Sequence, residues 1–275
     1  MTRTRGRSAR RQRPANARAA ADGMKLHRRT MRLDGREHTI IGLRPGTAVR
    51  FSTNLFHGAW HVLSDQHGAR MLARLLWGLA YQSRPGTVVV IDRPFLSPTP
   101  FDADPADPIV IVPAWHTPFG AQAARALARA LPLRGAPDGT VRWRTHGLDA
   151  ALADSQAWFD GNDPHWMSVD RGLVERVNGL IALRPSSAAE MLRWAVFTGQ
   201  LDATRRFGMD YAYLGLGWRC HGGEIQIFRD FRRNVSVARR ARSDVLARPG
   251  APRDGAELRP LIWDRAYAIK QRGSC

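Results

Sequence analysis

Thr87-Val88-Val89-Val90-Ile91 and Ile109-Val110-Ile111-Val112 decide the fold class. Each run is short, wholly apolar and rich in β-branched side chains. That is the pattern of a strand covered on both faces, the usual situation in a parallel sheet. Arg84-Pro85-Gly86 breaks the chain before the first run, and a Pro-rich loop from Arg93 to Pro108 separates the two. Upstream, Met71, Leu72, Leu75, Leu76 and Leu79 fall at helical spacing, with Arg70 and Arg74 off the stripe. Downstream, Thr117-Pro118 reads as an N-cap followed by proline at the first helical position. The helix it opens carries Ala121, Ala124, Leu127, Ala128 and Leu131.

The alternation continues outward. Thr140 to Thr145 reads as a strand, Leu148 to Phe159 as a helix, and Ser168 to Val177 as a helix closed by Asn178-Gly179. Leu180 to Leu183 is a third buried strand. Ser187 and Glu190 have capping-box spacing for a helix running to about Leu201. Tyr211 to Leu216 and Glu224 to Phe228 form a hairpin, and His38 to Leu43 and Thr47 to Ser52 are short strands around Arg44-Pro45-Gly46. The expectation is an α/β fold, layered, with a largely parallel sheet flanked by helices, over residues 34–228. Residues 1–33 are an Arg-rich tail expected to be disordered, and residues 229–275 an Arg-rich C-terminal extension. Met24 is an alternative start, because seven arginines precede it in a low-complexity run.

Net charge is +18, and all but two of the 42 basic residues are arginine. Such a skew reads first as coding bias. The charge is concentrated: residues 1–33 hold ten arginines and Lys25 against Asp22 alone, and residues 229–248 hold seven arginines against Asp230 and Asp244. Cys220 and Cys275, the two cysteines, frame no disulfide scaffold or zinc ribbon. No apolar run approaches the roughly 20 residues of a membrane span, and the N-terminus lacks the apolar stretch of a secretory signal. These features place the chain in the cytoplasm, with no membrane partner.

In open α/β sheets, ligands bind beyond the carboxyl ends of the strands. There the sequence offers Asp92-Arg93, Trp115-His116-Thr117, His146 and Arg184 to Ser187. His116, Asp92 and His146 are the candidate catalytic residues, since imidazole titrates near neutrality. Arg93, Thr117, Arg184 and Ser187 are the candidate ligand-binding set. Arginines and helix N-termini favour an anion, so the leading expectation is an anionic small molecule, phosphate-bearing or nucleotide-like, as partner. No sequence feature names a cofactor. His57, His61 and His67 carry no metalloprotease glutamate, because position 58 is Gly58. Asp102, Asp104 and Asp107 have the composition of a Mg²⁺ loop or of a solvated turn.

Two alternatives stand beside this. Phe56-His57-Gly58-Ala59-Trp60 resembles the oxyanion-hole segment of α/β-hydrolases, and Val112 to Gly120 resembles the strand-to-helix context of their nucleophile elbow. The resemblance implies Thr117 in place of the serine, with His146, His165 or His221 as base. It departs from that pattern where Ala114 or Trp115 and Phe119 replace the elbow's glycines. A divergent, inactive relative is equally consistent with it. The other alternative is nucleic-acid association. As a helix, residues 229–242 bring Arg229, Arg232, Arg233, Arg239 and Arg240 into an arc of about 120°, suited to a phosphate backbone, with Phe228 and Phe231 available for stacking.

Overall fold

A computed structural model describes residues 24–162, 172–215 and 222–272. The two apolar runs are strands β5 (Thr87–Ile91) and β6 (Ile109–Ile111), and both are buried throughout. Their side chains alternate between two cores. Val89, Ile91, Ile109 and Ile111 face one core, and Val88, Val90 and Val110 face the other. Coverage on both faces is as the sequence predicts.

Direction is not. β5 and β6 are antiparallel neighbours, with Ile91 opposite Ile109. A continuous apolar run reports burial and carries no information on strand polarity. The link from Asp92 to Pro108 contains only a 3-10 turn at Arg93–Phe95 and so lacks the crossover helix that normally joins parallel neighbours. The sheet is therefore mixed rather than largely parallel. Its seven strands run β7-β1-β2-β5-β6-β9-β8, with β1 (Lys25–Leu33), β2 (Arg36–Gly42), β7 (Gly139–Arg142), β8 (Leu173–Val177) and β9 (Leu180–Arg184). Only β2/β5 and β6/β9 pair in parallel.

A smaller four-stranded sheet, β10-β11-β4-β3, is also mixed. It consists of β3 (Ser52–Phe56), β4 (Ala59–Ser64), β10 (Met209–Leu214) and β11 (Gly223–Phe228). Helices α1 (Gln66–Ala80) and α5 (Ala188–Gly199) share the larger core with both sheets. Helix α2 (Ala121–Ala130) covers the other face of the seven-stranded sheet through Ala123, Ala124 and Leu127. Helices α3 (Leu148–Ala153) and α4 (Ser155–Asn162) follow β7, broken at Asp154 where one helix was expected.

Three local readings are revised. β1 occupies Lys25–Leu33, inside the stretch read as tail, and pairs with β2 through the tight Asp34-Gly35 turn. Residues 173–177 are a strand, not a helix end. Asn178 and Gly179, with φ of 49° and 77°, form the two-residue turn of the β8–β9 hairpin. The residues before 172 in that expected helix lie outside the described ones. Thr47 to Arg50 is not a strand, and β3 begins at Ser52.

The C-terminal segment forms α6 (Phe231–Leu246) and α7 (Gly255–Arg272). Phe231, Val235, Ala238, Ala241 and Val245 make a buried stripe along α6. Its first turns pack on Leu63 and Phe228 of the smaller sheet, and its later turns pack on Leu258 and Ile262 of α7. Phe228 and Phe231 are thus core residues and not stacking platforms. The acidic loop is neutralised by arginine: Arg242 and Arg259 pair with Asp104 at 2.5 and 3.5 Å, Arg259 with Asp102 at 3.2 Å, and Arg176 with Asp107 at 2.6 Å. That cluster fastens α6, α7 and β8, and no group of three metal-ligating side chains occurs among the described residues.

Candidate functional site

Because β5 and β6 run in opposite directions, the sequence-predicted residues separate onto two rims of the large sheet. Asp92 and Arg93 follow β5 at the rim where β2 also ends. His116, Thr117, Arg184 and Ser187 follow β6 and β9 at the opposite rim. His146 follows β7, with β1 and β2 between that strand and β5. The convergence of all seven on one edge, which the parallel reading required, does not occur.

The second rim is closed by its own hydrogen bonds. His116 is held at both ring nitrogens, by the Gln82 carbonyl at 2.9 Å and the Thr117 hydroxyl at 3.0 Å. Thr117 Oγ1 accepts from Gly86 N–H at 3.1 Å and is 1% exposed. Gly120, not Thr117, is the N-cap of α2. Arg184 pairs with Glu175 across the β8–β9 hairpin at 2.9 Å. Ser187 caps α5 by accepting from Glu190 N–H, and the Glu190 carboxylate accepts from Ser186 and Gly172. His57 and Gly58, both at positive φ, form the β3–β4 turn. His146 contributes its carbonyl to the Trp77 indole N–H.

The first rim is open. A cleft of 1030 Å³ lies beyond the ends of the parallel pair β2 and β5, reached by Gly42, Leu43 and Asp92. Arg29 and His27 of β1, Arg50, Arg134, and Arg232 and Arg239 of α6 face it. Strand periodicity explains the first pair, since residues two apart project on the same side. Helical periodicity explains the last pair, seven apart on the flank of the buried α6 stripe. The wall carrying Arg134 is pinned from two directions. Arg29 donates to the carbonyls of Leu133 (3.2 Å) and Gly135 (2.5 Å), and Asp92 accepts from Leu133 N–H (2.7 Å).

Asp92 is the one acid among the cleft's lining residues. Each of its oxygens accepts a backbone N–H, one from Leu133 and the other from Arg93 at 2.6 Å. Arg232 donates to the Ala48 carbonyl and lies 3.5 Å from Asp65. Arg134 and Arg239 are exposed and make no hydrogen bond or ion pair among the described residues. The pKa of His27 is lowered by burial first, then by the neighbouring charges of Arg29 and, outside the cleft, Arg44. The arrangement is a cationic cleft in which, among the described residues, Arg232 alone of the lining arginines has an ion-pair partner.

Asp92, Arg232 and Arg239 are the sequence-predicted residues that meet here. His27, Arg29, Arg50 and Arg134 were not foreseen. Arg93 sits at the same rim but faces a neighbouring groove, and Arg229 faces a different cleft. Arg233 and Arg240 are exposed on the outer side of α6. No family model, curated protein or solved structure matches the chain.

Proposed function

We propose that the protein binds a phosphate-bearing anionic small molecule, nucleotide-like in charge, in the cleft beyond β2 and β5. The observation that carries this reading is the charge balance: five arginines and His27 line the cleft against one lining carboxylate, already bound to two backbone N–H groups, and Asp65 outside it pairs with Arg232 alone. Guanidinium forks match phosphate oxygens in geometry and stay charged at any physiological pH. A ligand of opposite sign relieves the mutual repulsion of these groups.

Titration calorimetry with pyrophosphate, ATP and sulfate tests the reading. Arg134→Ala and Arg239→Ala are each expected to weaken pyrophosphate about tenfold, the scale of one charged hydrogen bond. His116→Ala and Arg184→Ala, on the opposite rim, leave it unchanged. Sulfate keeps a constant charge, so its affinity should rise as pH falls through the range where the bound anion restores the proton to His27. Equal affinity in Arg134→Ala, Arg239→Ala and the unaltered protein overturns the proposal.

A second reading, association with a nucleic-acid backbone, is supported by one observation. Arg233 and Arg240 are exposed on the side of α6 opposite its buried stripe, Arg232 and Arg239 are exposed on its flank, and Arg229 is exposed just before the helix. Duplex binding through this face would fall steeply with salt and need Arg233 and Arg240. Neither residue lines the cleft, so their removal separates the two readings.

A further inference from the structure

A cleft of 1620 Å³, larger than the cationic one, lies along β10, an edge strand of the smaller sheet among the described residues, between α1, α3 and the end of α5. Arg70 and Arg74 of α1 line it, four residues apart and therefore on one helical face. Both are exposed, and neither guanidinium makes a hydrogen bond or ion pair among the described residues. Two like charges one turn apart disfavour the helix unless an anion lies between them.

A second, independent feature points the same way. Trp194 of α5 lines the cleft and is 1% exposed, yet its indole N–H has no acceptor among the described residues. A buried donor left unpaired loses its hydration without compensation. Tyr211 and Tyr213 add half-exposed rings on β10, 5.5 Å apart in edge-to-face contact. Two guanidiniums and an indole N–H thus stand as unpaired donors beside aromatic surface.

The rim limits how much negative charge can enter. Asp65, Asp149, Asp202 and Asp210 also line the cleft, as do Arg205 and Arg229. Thr204, through its hydroxyl and its N–H, lowers the pKa of Asp202 and keeps it ionised. Four carboxylates against four arginines leave the cleft near neutral, which favours an anion of single charge over a polyphosphate.

We propose that this cleft is a second binding site, for an aromatic monocarboxylate. Arg70 and Arg74 hold the carboxylate and the tyrosines contact the ring; the Trp194 N–H, covered in this structure, gains a ligand acceptor as the side chains over it part. The site differs from the cationic cleft in ligand class and in residues. No lining group named here is shared with it.

Calorimetry on the full chain with benzoate, benzamide and inorganic phosphate tests it. Benzoate is expected to bind at least tenfold more tightly than benzamide, its neutral isostere. Arg70→Gln and Arg74→Gln, both on an exposed helix face, each weaken benzoate about tenfold. Trp194→Phe removes the donor and weakens benzoate roughly three- to tenfold; the smaller ring underfills the core and lowers the melting temperature, so affinity is read well below that transition. Arg134→Ala leaves benzoate unaffected, which distinguishes failure of this site from failure of the phosphate cleft. Benzamide binding as well as benzoate, full affinity in Arg70→Gln and Arg74→Gln, or no benzoate binding at millimolar concentration overturns the proposal.

Discussion

Asp92→Ala separates a structural carboxylate from a catalytic one. Asp92 accepts from Arg93 N–H at 2.6 Å and from Leu133 N–H at 2.7 Å, and its side chain is buried at the end of β5. Each is a charge-assisted bond, worth about 1.5–3 kcal/mol net. Alanine leaves both donors unpaired, and water entering the vacated space recovers part of the loss. The expected cost is about 3–5 kcal/mol, a large fraction of the roughly 5–15 kcal/mol that a domain possesses. Urea unfolding should register it as a lower midpoint at unchanged slope, and a thermal scan as a fall on the order of 10 °C. Asp92→Asn retains one acceptor and should cost about half as much. Pyrophosphate affinity should fall with both, because the Leu133 bond holds the wall that carries Arg134. If Asp92→Ala unfolds at the same urea concentration as the unaltered protein, the structural assignment is wrong.

The remaining predictions concern other buried polar groups. Thr117→Val deletes the acceptor for Gly86 N–H and the partner of His116 Nδ1. It should cost about 1–3 kcal/mol in urea unfolding while pyrophosphate affinity is unchanged. Glu224 lies 3.8 Å from His61 in the smaller sheet, a spacing that favours charge on both, but burial dominates. It raises Glu224 to about 7 and lowers His61. The folded protein therefore holds a proton on Glu224 that the unfolded chain releases near pH 4.5. That contribution is complete below pH 4.5 and is lost as pH rises to about 7. Glu224→Gln should flatten the stability profile across this window, measured as urea midpoint against pH, and a profile parallel to that of the unaltered protein would contradict it.

How much of this was legible depends on what each residue pattern encodes. Val88 through Ile91 announce a strand with two covered faces, and both faces are covered. The same residues carry no direction, and the direction of β6 decides which strand ends meet. The Pro-rich link without a helix, Arg93 to Pro108, was the available signal for an antiparallel neighbour. β1 was hidden by its charge, because Lys25, Arg28, Arg29 and Arg32 make the strand read as tail. The Asp34-Gly35 dipeptide was the turn signal that could have recovered it. Of the cationic cleft, Asp92, Arg232 and Arg239 were named from sequence, each for a separate reason. Arg29, Arg50 and Arg134 were not, since nothing local marks residues about a hundred positions apart as neighbours. The α6 stripe was incomplete without Phe231, whose aromatic ring was assigned to stacking when it belongs to the core.

The walls of the cationic cleft come from widely separated parts of the chain: His27 to Arg50, Arg134, and finally Arg232 and Arg239 of α6. During synthesis, the strands of the larger sheet are all available once Arg184 has left the ribosome, but the last wall is not yet made. The capacity to bind anions is therefore acquired late, after the framework that supports it. A chain interrupted before α6 would present a formed rim and an unfinished site.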